Sequence, residues 1–247
     1  MLVVWSEYPR TYFEILDKFL SLLIFAFLLG YTGYSQQFPL QSQYQFNYPT
    51  LNPAATGEND FYRARASFRE QWIGLTETPI STQILNVTKG FGDNGLGVTV
   101  FNDRTGGAIE KSGFSLSYSH KVKFDYADFY LGVSAGKSMI NLNNINDPIV
   151  LSSDITNNVI NEFVFGGYTV LKNGVRIGVS IPGLLDADMN FSSSGDNEIE
   201  RHFYTMIAYD KSFDDTWSIH PSLLVKSTKN YNQIDANINL KLKNRIW

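Results

Sequence analysis

From residue 61 onward, apolar and polar positions alternate with a period of two. In Phe114-Ser115-Leu116-Ser117-Tyr118-Ser119-His120-Lys121-Val122, Phe114, Leu116, Tyr118 and Val122 share one face. Ser115, Ser117, Ser119 and Lys121 share the other, as in a strand with two unlike faces. Ile234, Ala236, Ile238, Leu240 and Leu242 alternate in the same way with Asp235, Asn237, Asn239, Lys241 and Lys243. Phe129, Leu131, Val133 and Ala135 alternate with Tyr130, Gly132, Ser134 and Gly136, and Val175, Ile177, Val179 and Ile181 with Gly174, Arg176, Gly178 and Ser180. This template predicts about ten strands: 61–73, 80–90, 95–102, 112–123, 126–138, 160–172, 174–181, 201–212, 216–228 and 232–243. Several exceed the ~5–6 residues usual in soluble strands and reach the ~9–11 of a tilted strand that crosses a membrane. Turn clusters at Asp93-Asn94-Gly95, Asp125-Tyr126, Lys172-Asn173-Gly174 and Asp214-Asp215 alternate with longer polar stretches at 139–159 and 184–200. Tight turns at one end and long loops at the other suit an outer-membrane barrel.

Alternation does not say which face is inside. A β-sandwich or lipocalin-like barrel buries its apolar face, whereas an outer-membrane barrel turns it to lipid. The N-terminus and the small polar face (Gly132, Ser134, Gly136, Gly178, Ser180) favour the membrane. Residues 19–29, FLSLLIFAFLL, follow Lys18 and precede Gly33-Tyr34-Ser35, the pattern of a secretory signal cut between Ser35 and Gln36. The run falls short of the ~20 apolar residues of a membrane-crossing helix. Glu7, Glu14 and Asp17 do not suit a positive n-region, so the translated start is expected to lie too far upstream. The expected organisation is a signal peptide with that extension at 1–35, an N-terminal segment at 36–60, and a barrel at 61–247.

Composition narrows the chemistry. Among 247 residues, 20 Lys and Arg against 24 Asp and Glu give a net charge of -4, with no basic excess to favour nucleic acid. Aromatic residues make up 15% and charged residues only 18%, a mixture suited to strands with aromatic girdles. Without cysteine there is no disulfide framework and no thiolate ligand or nucleophile. Gly90, Gly92 and Gly95 spell GxGxxG, but a strand-like run rather than a helix follows, so this reads as a hairpin and not a phosphate loop. His120, His202 and His220 lack partners at metal-ligand spacing, and no GxSxG elbow accompanies the many Ser and Asp residues. No catalytic site, metal site or cofactor is expected. Asp186, Asp188, Asp196, Glu198 and Glu200 read as a solvated loop in which a calcium site is conceivable.

Several segments, in order, resemble one family. They are Gln43-Tyr44-Gln45-Phe46-Asn47 with Leu51-Asn52-Pro53-Ala54-Ala55-Thr56-Gly57, then Arg69-Glu70-Gln71-Trp72-Ile73-Gly74 with Pro79. Next come Gly95 through Gly106, including Asn102-Asp103, then Gly178-Val179-Ser180-Ile181-Pro182-Gly183-Leu184-Leu185, and His220-Pro221-Ser222-Leu223-Leu224-Val225-Lys226. Together they resemble the PorP/SprF membrane proteins of the type IX secretion system. The resemblance implies an all-β, antiparallel, up-and-down barrel in the cell outer membrane, without enzymatic activity. It further implies a role in secreting or retaining adhesin-type substrates. The implied partners are outer-membrane lipid, type IX secretion and gliding-motility proteins, and secreted surface adhesins. The family's last strands would follow Asn244-Arg245-Ile246-Trp247, so the barrel is expected to be incomplete here. Within the matching segments Asn52, Pro53, Gly57, Gln71, Trp72, Gly74, Asn102, Asp103 and Gly106 are expected to shape the barrel or contact partners. Asn52-Pro53 would set a rigid turn, Trp72 would sit in an interface girdle, and Asn102-Asp103 would cap a strand end through nearby backbone. The same strands also permit a porin or transporter of hydrophobic molecules, or a barrel enzyme acting on lipid.

Overall fold

A computed structural model describes residues 44–76, 78–106, 109–142, 158–185, 201–213, 216–229 and 232–243, all within the unit Gln37–Trp247. The signal-peptide region, the acidic cluster at 186–200 and residues 244–247 lie outside these.

The strands are β1 (Tyr62–Gln71), β2 (Ile80–Phe91), β3 (Asn94–Thr105), β4 (Ile109–Lys123), β5 (Ala127–Leu142), β6 (Asn158–Leu171), β7 (Val175–Pro182), β8 (Phe203–Tyr209), β9 (Lys211–Ser212), β10 (Trp217–Ser227) and β11 (Asn232–Leu242). They form one antiparallel sheet in chain order, β9 aside, which pairs with the foot of β10. The sheet curls into a half-barrel. β4 and β5 reach 15 and 16 residues, beyond the ~9–11 needed to cross a bilayer.

One expectation is refined: 201–212 is not a single strand. Ser222 pairs with Ala208 and Ile219 with Lys211, but the ladder lapses between them. Pro221, which has no N–H to donate, stands at that gap, and the break frees Asp210 from the ladder.

The two faces settle which side is in. Leu85, Val87, Val98, Val100, Leu116, Leu131, Val133, Ile207 and Ile238 are exposed on the convex face. Asn86, Thr88, Thr99, Ser117, Ser119, Ser134, Ser138 and Ser180 are buried on the concave one. A soluble sandwich or lipocalin would show the reverse. In water so large an apolar face would aggregate; in a bilayer it is the lipid contact. Exposed aromatics stand at both ends: Trp72 and Phe203 near the longer connections, and Phe91, Phe124, Tyr126, Phe213 and Trp217 near the tight turns. The tight-turn end carries the hairpins β2–β3, β4–β5 and β6–β7, while residues 143–157 and 183–202 connect strands at the other.

Candidate functional site

The concave face is not left open. Before β1, the chain makes three short 3-10 turns, Tyr44–Phe46, Tyr48–Thr50 and Pro53–Gly57. This strap crosses the strands from β11 toward β2. Tyr44 Oη donates to the Asp235 carbonyl of β11 (3.1 Å) and lies 3.5 Å from Ser222 Oγ of β10. Ser180 Oγ of β7 donates to the Leu51 carbonyl (2.8 Å). At the far end Gly90 N of β2 donates to the Asn59 carbonyl (2.9 Å).

Asn52 fastens the middle. Its Oδ1 accepts from Ala54 N (3.0 Å), capping the last 3-10 turn, where Pro53 occupies the first position and needs no donor. Its Nδ2 donates to the carbonyls of Gly167 on β6 (2.9 Å) and Val179 on β7 (3.1 Å). The strap lies so close that a side chain on the strands beneath would collide with it. A Cβ on Gly132 would meet the backbone of Ala54, and one on Gly166 the Asn52 amide. At the motif's end a Cβ on Gly57 would come within 2.6 Å of Ser119 Oγ.

Around the strap lies a tyrosine-rich core of Tyr44, Tyr48, Tyr130, Tyr168 and Tyr204 with Ala54, Ala55, Met206 and Leu224. The Tyr130 and Tyr168 rings lie 5.9 Å apart. Burial pushes the Tyr48 phenol up to about 12, so it stays neutral at physiological pH.

Some of the buried polar groups beside the strap pair across strands, while Ser119 Oγ and the Asn86 Oδ1 atom have no partner among the described residues. Asn86 Nδ2 donates to Thr99 Oγ1 (2.8 Å), and Ser117 Oγ to Ser134 Oγ (3.2 Å). Glu162 accepts from Ser138 Oγ (2.8 Å) and pairs with Lys111 Nζ (2.7 Å). Near the tight turns Arg176 bridges Glu58 of the strap (3.3 Å) and Asp210 (2.6 Å).

Asp210 Oδ1 also lies 2.5 Å from His220 Nδ1, and His220 Nε2 lies 3.0 Å from Ser218 Oγ. Three side chains that sequence reading left scattered therefore form the order Asp, His, Ser. The arrangement resembles a hydrolase triad in connectivity. Ser218 is buried, however, and the cavity of about 130 Å³ that reaches Asp210 and His220 is lined by strap residues and not by Ser218. With Arg176 on the second Asp210 oxygen, the chain ties β10 to β7 and, through Glu58, to the strap. Ser218 and His220 share a face by the period of two, which was the available signal. Asp210 gave none, because it becomes available only where the ladder breaks.

The expected site residues fall in two places. Asn52, Pro53 and Gly57 belong to the strap. Gln71 ends β1 opposite Ile80, followed by Trp72 and Gly74. Asn102 and Asp103 lie near the end of β3, and Gly106 follows it. These six share the end with the longer connections, away from the tight turns. Trp72 is exposed and adopts φ 61, a left-handed backbone unusual for a non-glycine residue, while its carbonyl accepts from Leu75 N (3.0 Å). Gly74 (φ 79) and Gly106 (φ 61) supply turns that other residues resist. Asp103 accepts from the Thr82 hydroxyl of β2 (2.5 Å), a bond across the ladder rather than the cap to nearby backbone that the sequence suggested. The glycine run at 90–95 forms the β2–β3 hairpin, with Gly92 at φ 61.

The family model for the type IX secretion system membrane protein PorP/SprF matches residues 33–247. No curated protein matches the chain.

Proposed function

We propose that this chain, which belongs to the PorP/SprF family of type IX secretion system membrane proteins, is a non-enzymatic outer-membrane component that supports secretion or surface retention of adhesin-type substrates. The observation that carries this reading is the strap. A diffusion porin needs a continuous aqueous path, whereas here a chain segment lies across the concave face from β11 to β2, fastened by Asn52, Tyr44 and Ser180. A protein with its interior occupied offers its rims and its remaining recesses to partners. The apolar convex face supports lipid as its surroundings, and the end bearing Trp72, Gly74 and Gly106 is the natural surface for secreted adhesins and for the secretion and motility proteins.

Deleting the gene and comparing the surface-protein inventory tests the reading. Loss of one or a few adhesins from an otherwise normal surface is expected; an unchanged inventory overturns it. In planar bilayers the purified protein is expected to show little steady conductance, where a porin would conduct.

A further inference from the structure

We infer that Lys137, on the convex wall of β5, holds the phosphate of an anionic lipid in the outer leaflet, with Asn161 of β6 beside it. The inference deepens the outer-membrane reading and rests on it for the presence of lipid.

Position comes first. Leu131, Val133 and Met139 are exposed along the convex face of β5, and Lys137 is exposed in the same alternation. The strand lies in the middle of the sheet, with β4 on one side and β6 on the other, and Lys137 stands opposite Phe114 and Asn161. Phe114, Met139 and Val159 are exposed around it. From Ala127, where β5 leaves the tight turn, a strand tilted by ~40° climbs about 25 Å to Lys137. That climb matches the apolar band of outer-membrane barrels, ~25 Å tall. Lys137 therefore lies where acyl chains give way to headgroups, toward the end with the longer connections, which faces outward in such barrels.

Charge comes second. Two other cations of the same wall are engaged within the protein: Arg104 pairs with Glu110 at 3.0 Å, and Lys89 lies 4.2 Å from the centre of the Tyr62 ring. Among the described residues Lys137 has no ion pair, hydrogen bond or ring contact for its ammonium, and the exposed Asn161 amide has no hydrogen bond. A cation on a lipid-facing strand is strongly disfavoured at the bilayer midplane and tolerated at its edge, where an anionic headgroup neutralises it. Met139 and Val159 stand a step farther out on the same wall, so the ammonium is set among apolar side chains and not on an open polar rim.

This setting selects a lipid over a free anion. A free phosphate has to leave water to reach Lys137, whereas a lipid phosphate arrives with acyl chains that cover Phe114 and Val133 below it. The lysine ammonium is a compact point charge with three donors on a flexible stem, suited to a phosphate whose depth varies.

The test uses the full purified protein in a neutral detergent and native mass spectrometry with phosphatidylglycerol, with phosphatidylcholine as the zwitterionic counterpart. Phosphatidylglycerol is expected to be held at least about fivefold more tightly than phosphatidylcholine, the factor that one lysine near a membrane surface supplies. Lys137→Gln is expected to remove most of that preference, while Lys172→Gln, in the β6–β7 turn at the opposite end, leaves it unchanged. Heat-dependent gel mobility checks folding. Should Lys137→Gln not fold, Asn161→Leu takes its place, with a weaker preference expected. Equal retention of the two lipids, an undiminished preference in the folded site variant, an equal loss in Lys172→Gln, or displacement of phosphatidylglycerol by an equal concentration of inorganic phosphate each overturns the inference. Protein that enters phosphatidylcholine vesicles but shows no lipid preference removes the site and keeps the outer-membrane reading; protein that enters no vesicle removes both.

Discussion

Over β3 to β7 the strap and the sheet meet almost backbone to backbone, whereas along β1 and β11 the same concave face borders a cavity of about 900 Å³. In the first region glycines admit the strap, Asn52 uses both ends of its amide, and Lys111 has its carboxylate. In the second, Arg176 is held by Glu58 and Asp210, and the strap leaves open space. Close approach and anchoring hydrogen bonds are what a segment needs to stay in place. The difference separates the part of the interior that the strap fastens from the part that it leaves open.

Substitutions should feel this division. The largest effect is expected at Gly132→Val, whose side chain would enter the space of the Ala54 backbone. We expect a loss of about 3 kcal/mol or more, seen as a lower denaturation midpoint or no folded band. The outward change Val133→Leu on the same strand should stay within about 0.5 kcal/mol. If Gly132→Val folds with unchanged stability, the strap does not lie on β5.

Glu162→Ala comes next, because it removes the carboxylate that Lys111 Nζ and Ser138 Oγ share in a buried setting. Urea unfolding should report about 3 kcal/mol. Glu110→Ala, which breaks the exposed pair with Arg104 (3.0 Å), should cost no more than about 1 kcal/mol. Asn52→Ala removes two hydrogen bonds to β6 and β7 and the cap on the strap, with about 2 kcal/mol expected in the same assay. By contrast Arg65→Gln, at the edge strand away from the strap's anchors, should change stability by no more than about 0.5 kcal/mol in the same assay. A stability loss comparable to that of Asn52→Ala would place Arg65 with the structural residues and erase the distinction.

The smallest effect lies at the β2–β3 turn. Asp93 pairs with Lys123 at 2.8 Å, and that hydrogen bond and charge hold its carboxyl below the usual carboxylate range. With a lowered folded value, the pair's contribution is present above the unfolded pKa of about 4 and fades as pH falls through the lower folded value. Asp93→Asn should therefore leave the melting temperature at pH 7 nearly unchanged and flatten only its decline below about pH 4.

Much of the fold was legible in the chain. The alternation at Phe114–Val122 and at Ile234–Lys243 located β4 and β11 and separated their faces. It could not name the inner face, because lipid and a soluble core select the same apolar stripe. The strap was half legible. Asn52-Pro53 read correctly as a turn, but its bed is built from Gly132, Gly166 and Gly178, each of which looks in sequence like any small residue on a polar face. Arg176 looked like an ordinary polar position. Only the placement of Glu58 and Asp210 reveals what it joins.

The measurement that tests the strap most directly exploits the absence of cysteine from the chain. A Cβ placed on Gly97 of β3 would lie 3.0 Å from Thr56 Cγ2 of the strap, a separation a disulfide can span. In the variant carrying Thr56→Cys and Gly97→Cys, mild oxidation of outer membranes should form an intramolecular disulfide, read by mass spectrometry as the loss of two hydrogens, in protein that still shows a folded band. A folded band in which both thiols remain free and react with maleimide would contradict the account, because the strap would then not lie across the interior.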